Sequence, residues 1–266
     1  MRQGMWSGLA AAAIGVTVAA APAWSAEQAC GTGKLWIPEG SRVEAGEDRS
    51  LRIFAPAGFV YVGEPAPGWE TAAALAELSK KEDDVKCSCT CTSSSGSCSP
   101  SVLNGNCSCT ASGGCTACSL TVGTARMEYG GGGFVQPGVG VRFAGKDERL
   151  PPIFPGMLSH PELRRGVADF LRRLYGDAPR PAPIDDGGAF QAPAGHRLVA
   201  LNVYGRAGFV VAPEAAVRSL ARKEGGGGSC SCTSGTCTYD SQWTPEGRIY
   251  YCNAAECRGT CTLTVS

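Results

Sequence analysis

The chain has 266 residues, with 24 basic against 24 acidic side chains and so no formal net charge. A balanced charge gives no field to draw in nucleic acid or an anionic membrane surface, so neither is an expected partner. Glycine (37) and proline (17) are abundant, which favours loops and short strands over long helices.

At the N-terminus, Arg2 is the only charged residue before Glu27, and Leu9 to Ala21 is an apolar, alanine-rich run followed by Pro22 and small residues. This is the layout of a secretory signal peptide, assigned here to residues 1–26. The run is shorter than the roughly 20 apolar residues that a spanning helix requires. The expectation is a secreted or periplasmic protein with no membrane span after signal cleavage. All 15 cysteines lie in the exported part, where an oxidising compartment turns thiols into disulfides. The count is odd. Cys30, far from the other cysteines, is expected to be a free or intermolecular thiol.

Three segments share a Pro-x-Gly-x-Arg-apolar start or a close relative of it. They are Pro38 to Val43, Gly140 to Phe143 after a displaced Pro137, and Pro193 to Leu198. In the first copy Leu51 to Phe54 and Phe59 to Val62 flank a Pro-Ala-Gly turn. In the third, Leu198 to Tyr204 and Phe209 to Val211 flank Gly205 to Gly208. Apolar β-formers on both sides of a glycine turn predict a hairpin. A helix is expected to close each copy, over 70–82 in the first, after Ser159 in the middle one and over 214–224 in the third. In the middle one Ser159 and Glu162 suggest a capping box, with Leu163, Val167, Phe170, Leu171 and Leu174 apolar and four arginines opposite. The predicted fold class is α+β: three degenerate strand–strand–helix repeats of roughly 45 residues, the first and third followed by small disulfide-rich β modules. The boundaries are 27–86 for unit one, 134–180 for unit two and 181–224 for unit three. Module one covers 87–122 and module two 230–266, with glycine-rich linkers at 123–133 and 225–229.

Module one carries Cys87, Cys89, Cys91, Cys98, Cys107, Cys109, Cys115 and Cys118. Module two carries Cys230, Cys232, Cys237, Cys252, Cys257 and Cys261. Both open with Cys-Ser-Cys-Thr and close with Cys-x-Leu-Thr-Val, so one fold used twice is expected. Period-two spacing puts Cys87, Cys89 and Cys91 on one strand face, where each reaches a partner on an adjacent strand rather than its neighbour two residues away. Even counts in both modules suit internal pairing, with the connectivity open.

An alternative is a metal–thiolate site. Cys107-x-Cys109 with Cys115-x-x-Cys118 offers four soft ligands for Zn(II) or Cu(I). Module one is similar in composition to a metallothionein, with Cys-x-Cys pairs, Ser, Thr and Gly and no aromatic residue. That resemblance implies Zn or Cu as cofactor, whereas the disulfide reading implies none. A third reading is a thiol-disulfide oxidoreductase through Cys115 and Cys118, though Ser119 to Val122 reads as a strand and not as the helix that acidifies such pairs. Module two departs in holding Tyr239, Trp243, Tyr250 and Tyr251, candidate contact aromatics whose alternative role is packing over disulfides. His160 and His196 lack ligand or nucleophile neighbours and read as surface residues. With no phosphate loop, zinc-protease motif or nucleophile elbow present, the expected function is non-catalytic: an exported structural or binding protein with a protein partner or self-assembly.

Overall fold

Short runs of β-branched, aromatic and cysteine residues between Gly, Pro and Asn turns become strands along most of the chain. The computed structural model describes residues 35–63, 84–93, 95–103, 105–123, 128–129, 132–145, 148–186, 189–219, 227–253, 257 and 261–265. The predicted signal peptide, Cys30 and the helix expected over 70–82 lie outside them.

The first part contains β1 (Leu35–Trp36), β2 (Arg42–Ala45), β3 (Leu51–Phe54), β4 (Val60–Gly63), β5 (Asp84–Cys91), β6 (Ser97–Leu103), β7 (Asn106–Ser112) and β8 (Cys118–Gly123). Then come β9 (Glu128–Tyr129), β10 (Gly132–Val135), β11 (Val141–Phe143) and helix α1 (Pro161–Tyr175). The last part holds β12 (Ile184–Asp186), β13 (Ala189–Gln191), β14 (His196–Val203), β15 (Arg206–Pro213), the short helix α2 (Glu214–Ser219), β16 (Gly227–Cys232), β17 (Thr238–Thr244), β18 (Gly247–Asn253) and β19 (Cys261–Val265). The sheet orders are β2-β3-β5-β8-β9, β1-β7-β6, β10-β4, β11-β14-β15-β18-β17 and β12-β13-β16-β19.

This overturns the α+β expectation. Strands dominate, only two α-helices occur among the described residues, and the strand–strand–helix order does not recur three times: among the described residues only the third copy has it, as β14, β15 and α2. In the first copy β3 pairs with β2 and β5, whereas β4 crosses to pair with β10. The Pro56–Phe59 turn is made, but it joins two sheets and closes no hairpin. Only the third copy forms its predicted hairpin, an eight-pair ladder between β14 and β15. The start of the middle copy, β11, pairs with β14.

The β14–β15–β18 sheet is covered on both faces, which explains why its strands are continuously apolar. Val199, Leu201, Val203, Val210, Ile249 and Tyr251 pack with Leu163, Val167, Phe170, Leu171 and Leu174 of α1. On the other face Leu198, Phe209, Val211 and Tyr250 pack with Phe190 of β13. The apolar stripe expected on α1 is thus buried, and Arg164, Arg165, Arg172 and Arg173 are exposed. The capping box is not made. His160 is the N-cap without a side-chain cap bond, and Ser159 ends a preceding 3-10 turn. His160 is also buried and not on the surface as expected, and that burial lowers its pKa.

Two of the glycines assigned to flexible linkers serve close packing instead. Arg206 of β15 is buried, with Nε donating to the Phe134 carbonyl at 2.8 Å and its guanidinium 5.0 Å from the Trp36 ring and 5.1 Å from the Phe154 ring. Burial brings its pKa down to about 9. A side chain at Gly133 would meet Arg206 Nη2 at 2.5 Å and the Phe154 ring at 2.7 Å. Gly228 sits inside β16, and the Phe190 ring occupies the space beside it.

Candidate functional site

Both cysteine modules are two-layer sandwiches. In module one the β6–β7 hairpin lies over the β5–β8 pair; Cys87–Cys107, Cys89–Cys109 and Cys98–Cys118 join the two, and Cys91–Cys115 ties β5 to the loop between β7 and β8. In module two the β17–β18 hairpin lies over the β16–β19 pair, joined by Cys230–Cys252, Cys232–Cys257 and Cys237–Cys261. Each cysteine in the first half of a module bonds the cysteine of the same rank in the second half. The bonds run between layers, not between neighbouring strands of one sheet as the sequence suggested. Cys91 faces Cys118 across the β5–β8 ladder, yet each bonds elsewhere.

The ladders also correct how the modules align. Cys91 faces Cys118 where Cys232 faces Cys261, Cys89 faces Leu120 where Cys230 faces Leu263, and Pro100 faces Cys109 where Tyr239 faces Cys252. The two Cys-Ser-Cys-Thr openings are therefore not equivalent; module two starts one cysteine later. A slip of two residues keeps the same face inward, so the strand period alone does not distinguish the registers. The match of Cys89-x-Cys91-Thr92-Ser93 to Cys230-x-Cys232-Thr233-Ser234 has as many identities as the one between the two openings, so the sequence leaves the two registers level. Three bonds are then common to the modules. The fourth, Cys87–Cys107, has Gly228 and Tyr250 in its place.

The sulfurs proposed from sequence as one metal site, those of Cys107, Cys109, Cys115 and Cys118, are bonded to four different partners. Cys115 and Cys118 do not bond each other. The sulfurs that gather are Cys91, Cys98 and Cys115, all within 4.8 Å of one another, and their equivalents Cys232, Cys237 and Cys257. In the oxidised state they carry no thiolate to offer a metal.

Module two differs from module one most at the β17–β18 hairpin, which extends further before its turn. The tip is tied down at three points. Gln242 Nε2 donates to the Phe154 carbonyl at 2.6 Å, its Oε1 accepts from the Leu158 amide at 2.7 Å, and Glu246 pairs with Arg172 of α1 at 2.8 Å. On the face away from α1 the cross-strand pairs are Trp243 with Arg248, Ser241 with Tyr250 and Tyr239 with Cys252. Trp243 is 63% exposed, and the Arg248 guanidinium stacks 3.8 Å from its ring centroid. Arg248 also bonds the Tyr250 phenol, whose pKa is raised chiefly by burial. The four contact aromatics named from sequence therefore separate. Trp243 is presented, Tyr239 is half-buried, and Tyr250 and Tyr251 are buried on opposite faces of β18.

Beside this face lies a cleft of about 310 Å³, walled by Ala182 and Asp185 on one side and by Tyr239, Ser241, Arg248 and Tyr250 on the other. Asp185 belongs to β12, opposite Phe190. Of the histidines, His196 stands at the start of β14 with Nδ1 at 3.1 Å from the Ala194 carbonyl, and His160 begins α1; neither reaches the cleft.

No protein-family model matches the chain, and no curated protein or solved structure matches it either. No helix among the described residues is long and apolar enough to cross a membrane.

Proposed function

We propose that the chain is an exported, non-catalytic recognition protein of the cell envelope or exterior. Its stapled sandwiches act as rigid platforms, and module two makes the contact with a protein partner or a second copy. The seven disulfides among the described residues suit an oxidising compartment, where such bonds form and persist. The observation that carries the reading is Trp243, held out at a hairpin tip that is itself fastened to α1 and the loop before it. A large aromatic side chain presented on a fixed backbone loses little entropy on contact, which is why Trp and Arg dominate binding hot spots.

A photocrosslinking residue placed at position 243 of the exported chain tests this in the producing cells. The expected result is a discrete adduct at 243 that is missing from the same probe at Arg164 on the solvated face of α1. Equal or absent adducts at both positions would remove the reading. Trp243→Ala is expected to change folding stability by less than about 1 kcal/mol, since an exposed cation–π pair is worth little.

A second reading, sequestration of Zn or Cu by thiolates, is favoured by the two equivalent sulfur trios. It requires those cysteines to be reduced in the native protein. A thiol count on freshly purified, unfolded chain separates the two, with near-zero free thiols excluding the metal.

A further inference from the structure

We propose that the sulfurs of Cys91, Cys98 and Cys115 form a disulfide-exchange relay, through which a small external thiol converts module one to a second pairing, Cys98–Cys115 with Cys91–Cys118. The inference goes beyond the recognition reading and does not depend on it.

Two bonds of module one meet in this trio. Cys91–Cys115 and Cys98–Cys118 share no cysteine, yet Sγ of Cys98 stands 3.3 Å from Sγ of Cys115. The sulfurs of Cys91, Cys98 and Cys115 all lie within 4.8 Å of one another. A separation of about 3–3.5 Å between reacting atoms is a near-attack arrangement. The remaining two cysteines are matched as well. Cys91 faces Cys118 in the β5–β8 ladder, and one step further along the Thr92 amide donates to the Ala117 carbonyl at 2.9 Å. Thr92 and Ala117 are thus the hydrogen-bonded pair, and Cys91 and Cys118 the non-hydrogen-bonded one. Cα atoms in such a pair come to about 4.5 Å, within the span of a disulfide.

Exposure decides where a thiol enters. Cys91 and Cys115 are half-buried, whereas Cys98 and Cys118 are buried. Exchange proceeds by attack of a thiolate on a disulfide sulfur. An external thiolate that attacks Sγ of Cys91 forms a mixed disulfide there and releases the thiolate of Cys115. The Ser93 hydroxyl, 3.1 Å from Sγ of Cys91 and 3.7 Å from Sγ of Cys115, is placed to donate to the released sulfur and favour its charged form. Cys115 then attacks Sγ of Cys98, forming Cys98–Cys115 and releasing the thiolate of Cys118. Cys118 attacks Sγ of Cys91 across the ladder, forming Cys91–Cys118 and expelling the external thiolate. Two disulfides enter and two leave, and the thiol is recovered with no net oxidation or reduction. Entry at Cys115 gives the same product, with Cys91 attacking Cys118 and the released Cys98 displacing the thiol from Cys115.

The product no longer fastens β6 to β8. Cys98 is then held by the loop that carries Cys115, and that end of the hairpin layer is freed from the β5–β8 pair. Cys87–Cys107 and Cys89–Cys109 still join the layers. Module two repeats the trio as Cys232, Cys237 and Cys257, and Cys232 faces Cys261 in the same way. Of those four cysteines only Cys232 is half-buried and the others are buried, so module one responds first.

The full exported chain with its disulfides formed is incubated with reduced glutathione, quenched with acid and mapped by mass spectrometry without reduction. With no glutathione the pairing stays in rank order. With it, Cys98–Cys115 and Cys91–Cys118 should appear together, ahead of Cys237–Cys257 and Cys232–Cys261, while Cys87–Cys107 and Cys89–Cys109 persist. Cys91→Ser isolates the central step with no thiol added: Cys98–Cys115 should form, and the free thiol should be found at Cys118. Cys89→Ser is the control, since its orphaned Cys109 belongs to neither trio and should keep the free thiol. Unchanged pairing in glutathione would overturn the relay, as would free thiols at Cys91 and Cys115 beside an intact Cys98–Cys118. Retention of Cys98–Cys118 in Cys91→Ser, or equal scrambling in both variants, would overturn it too. If Cys91→Ser does not accumulate, the glutathione result on the native chain decides.

Discussion

Phe190 lies directly opposite Gly228 in the β13–β16 ladder, at the position where module one sets Leu51 opposite Cys87. The ring fills the space a side chain at Gly228 would need, with one ring atom 2.4 Å from where a Cβ would stand. It stacks on Phe209 at 4.4 Å and 3°, and Phe209 packs against Tyr250 at 5.4 Å. A row of aromatic rings thus joins the two layers where module one uses the Cys87–Cys107 bond.

Because Phe190 is 1% exposed, Phe190→Ala should cost about 3–5 kcal/mol by opening a cavity in this row. Denaturant unfolding with the disulfides intact measures it. Gly228→Val should be damaging in the native background and tolerated better with Phe190→Leu, which restores the module-one arrangement. A loss under about 1 kcal/mol for Phe190→Ala would show that the rings do not replace the bridge.

The Cys87–Cys107 bond is the one that module two does without. The double variant Cys87→Ala/Cys107→Ala should therefore keep the other three module-one bonds in their native pairing, at a cost of about 2–4 kcal/mol for the lost cross-link. Peptide mapping under non-reducing conditions reads the pairing, and thermal unfolding reads the cost. Scrambled bonds among Cys89, Cys91, Cys98, Cys109, Cys115 and Cys118 would contradict the internal equivalence.

The sequence made some of this legible and hid the rest for identifiable reasons. The α1 stripe and the β14–β15 hairpin follow from local periodicity and a glycine turn, and both form. The repeat failed because β3 and β4, flanking an ordinary turn, find partners far along the chain in β5 and β10. Local pattern does not encode which distant edge a strand joins. Among the site residues, paired cysteines and an aromatic module two were visible. The separation of Trp243 from Tyr250 and Tyr251 was not, since it depends on both faces of β18 being covered. Asp185 was hidden because β12 is a three-residue strand in which Ile184 and Asp185 are both exposed.

Glu148 offers an acid-range test of the segment that leads into α1. Arg142 Nη1 donates to it at 2.9 Å and Nη2 at 2.5 Å, the Gly145 amide at 2.8 Å and Asn202 Nδ2 at 2.8 Å. The Arg142 bond leads in lowering its pKa from 4.5 to about 2. The unfolded state thus binds the proton more readily than the folded one. The stabilisation is complete above the unfolded value of 4.5 and is lost as pH falls towards 2. Glu148→Gln should lower stability at neutral pH and flatten its decline across that window. A variant whose stability falls between pH 4.5 and 2 as steeply as the parent's would exclude this role.

Both modules are one sandwich stapled in rank order. Non-reducing peptide mapping by mass spectrometry of the exported chain tests it most directly. The expected bonds are Cys91–Cys115 with Cys98–Cys118 in module one and Cys232–Cys257 with Cys237–Cys261 in module two. Bonds between the cross-strand neighbours Cys91 and Cys118 or Cys232 and Cys261, or free thiols at these positions, would contradict it.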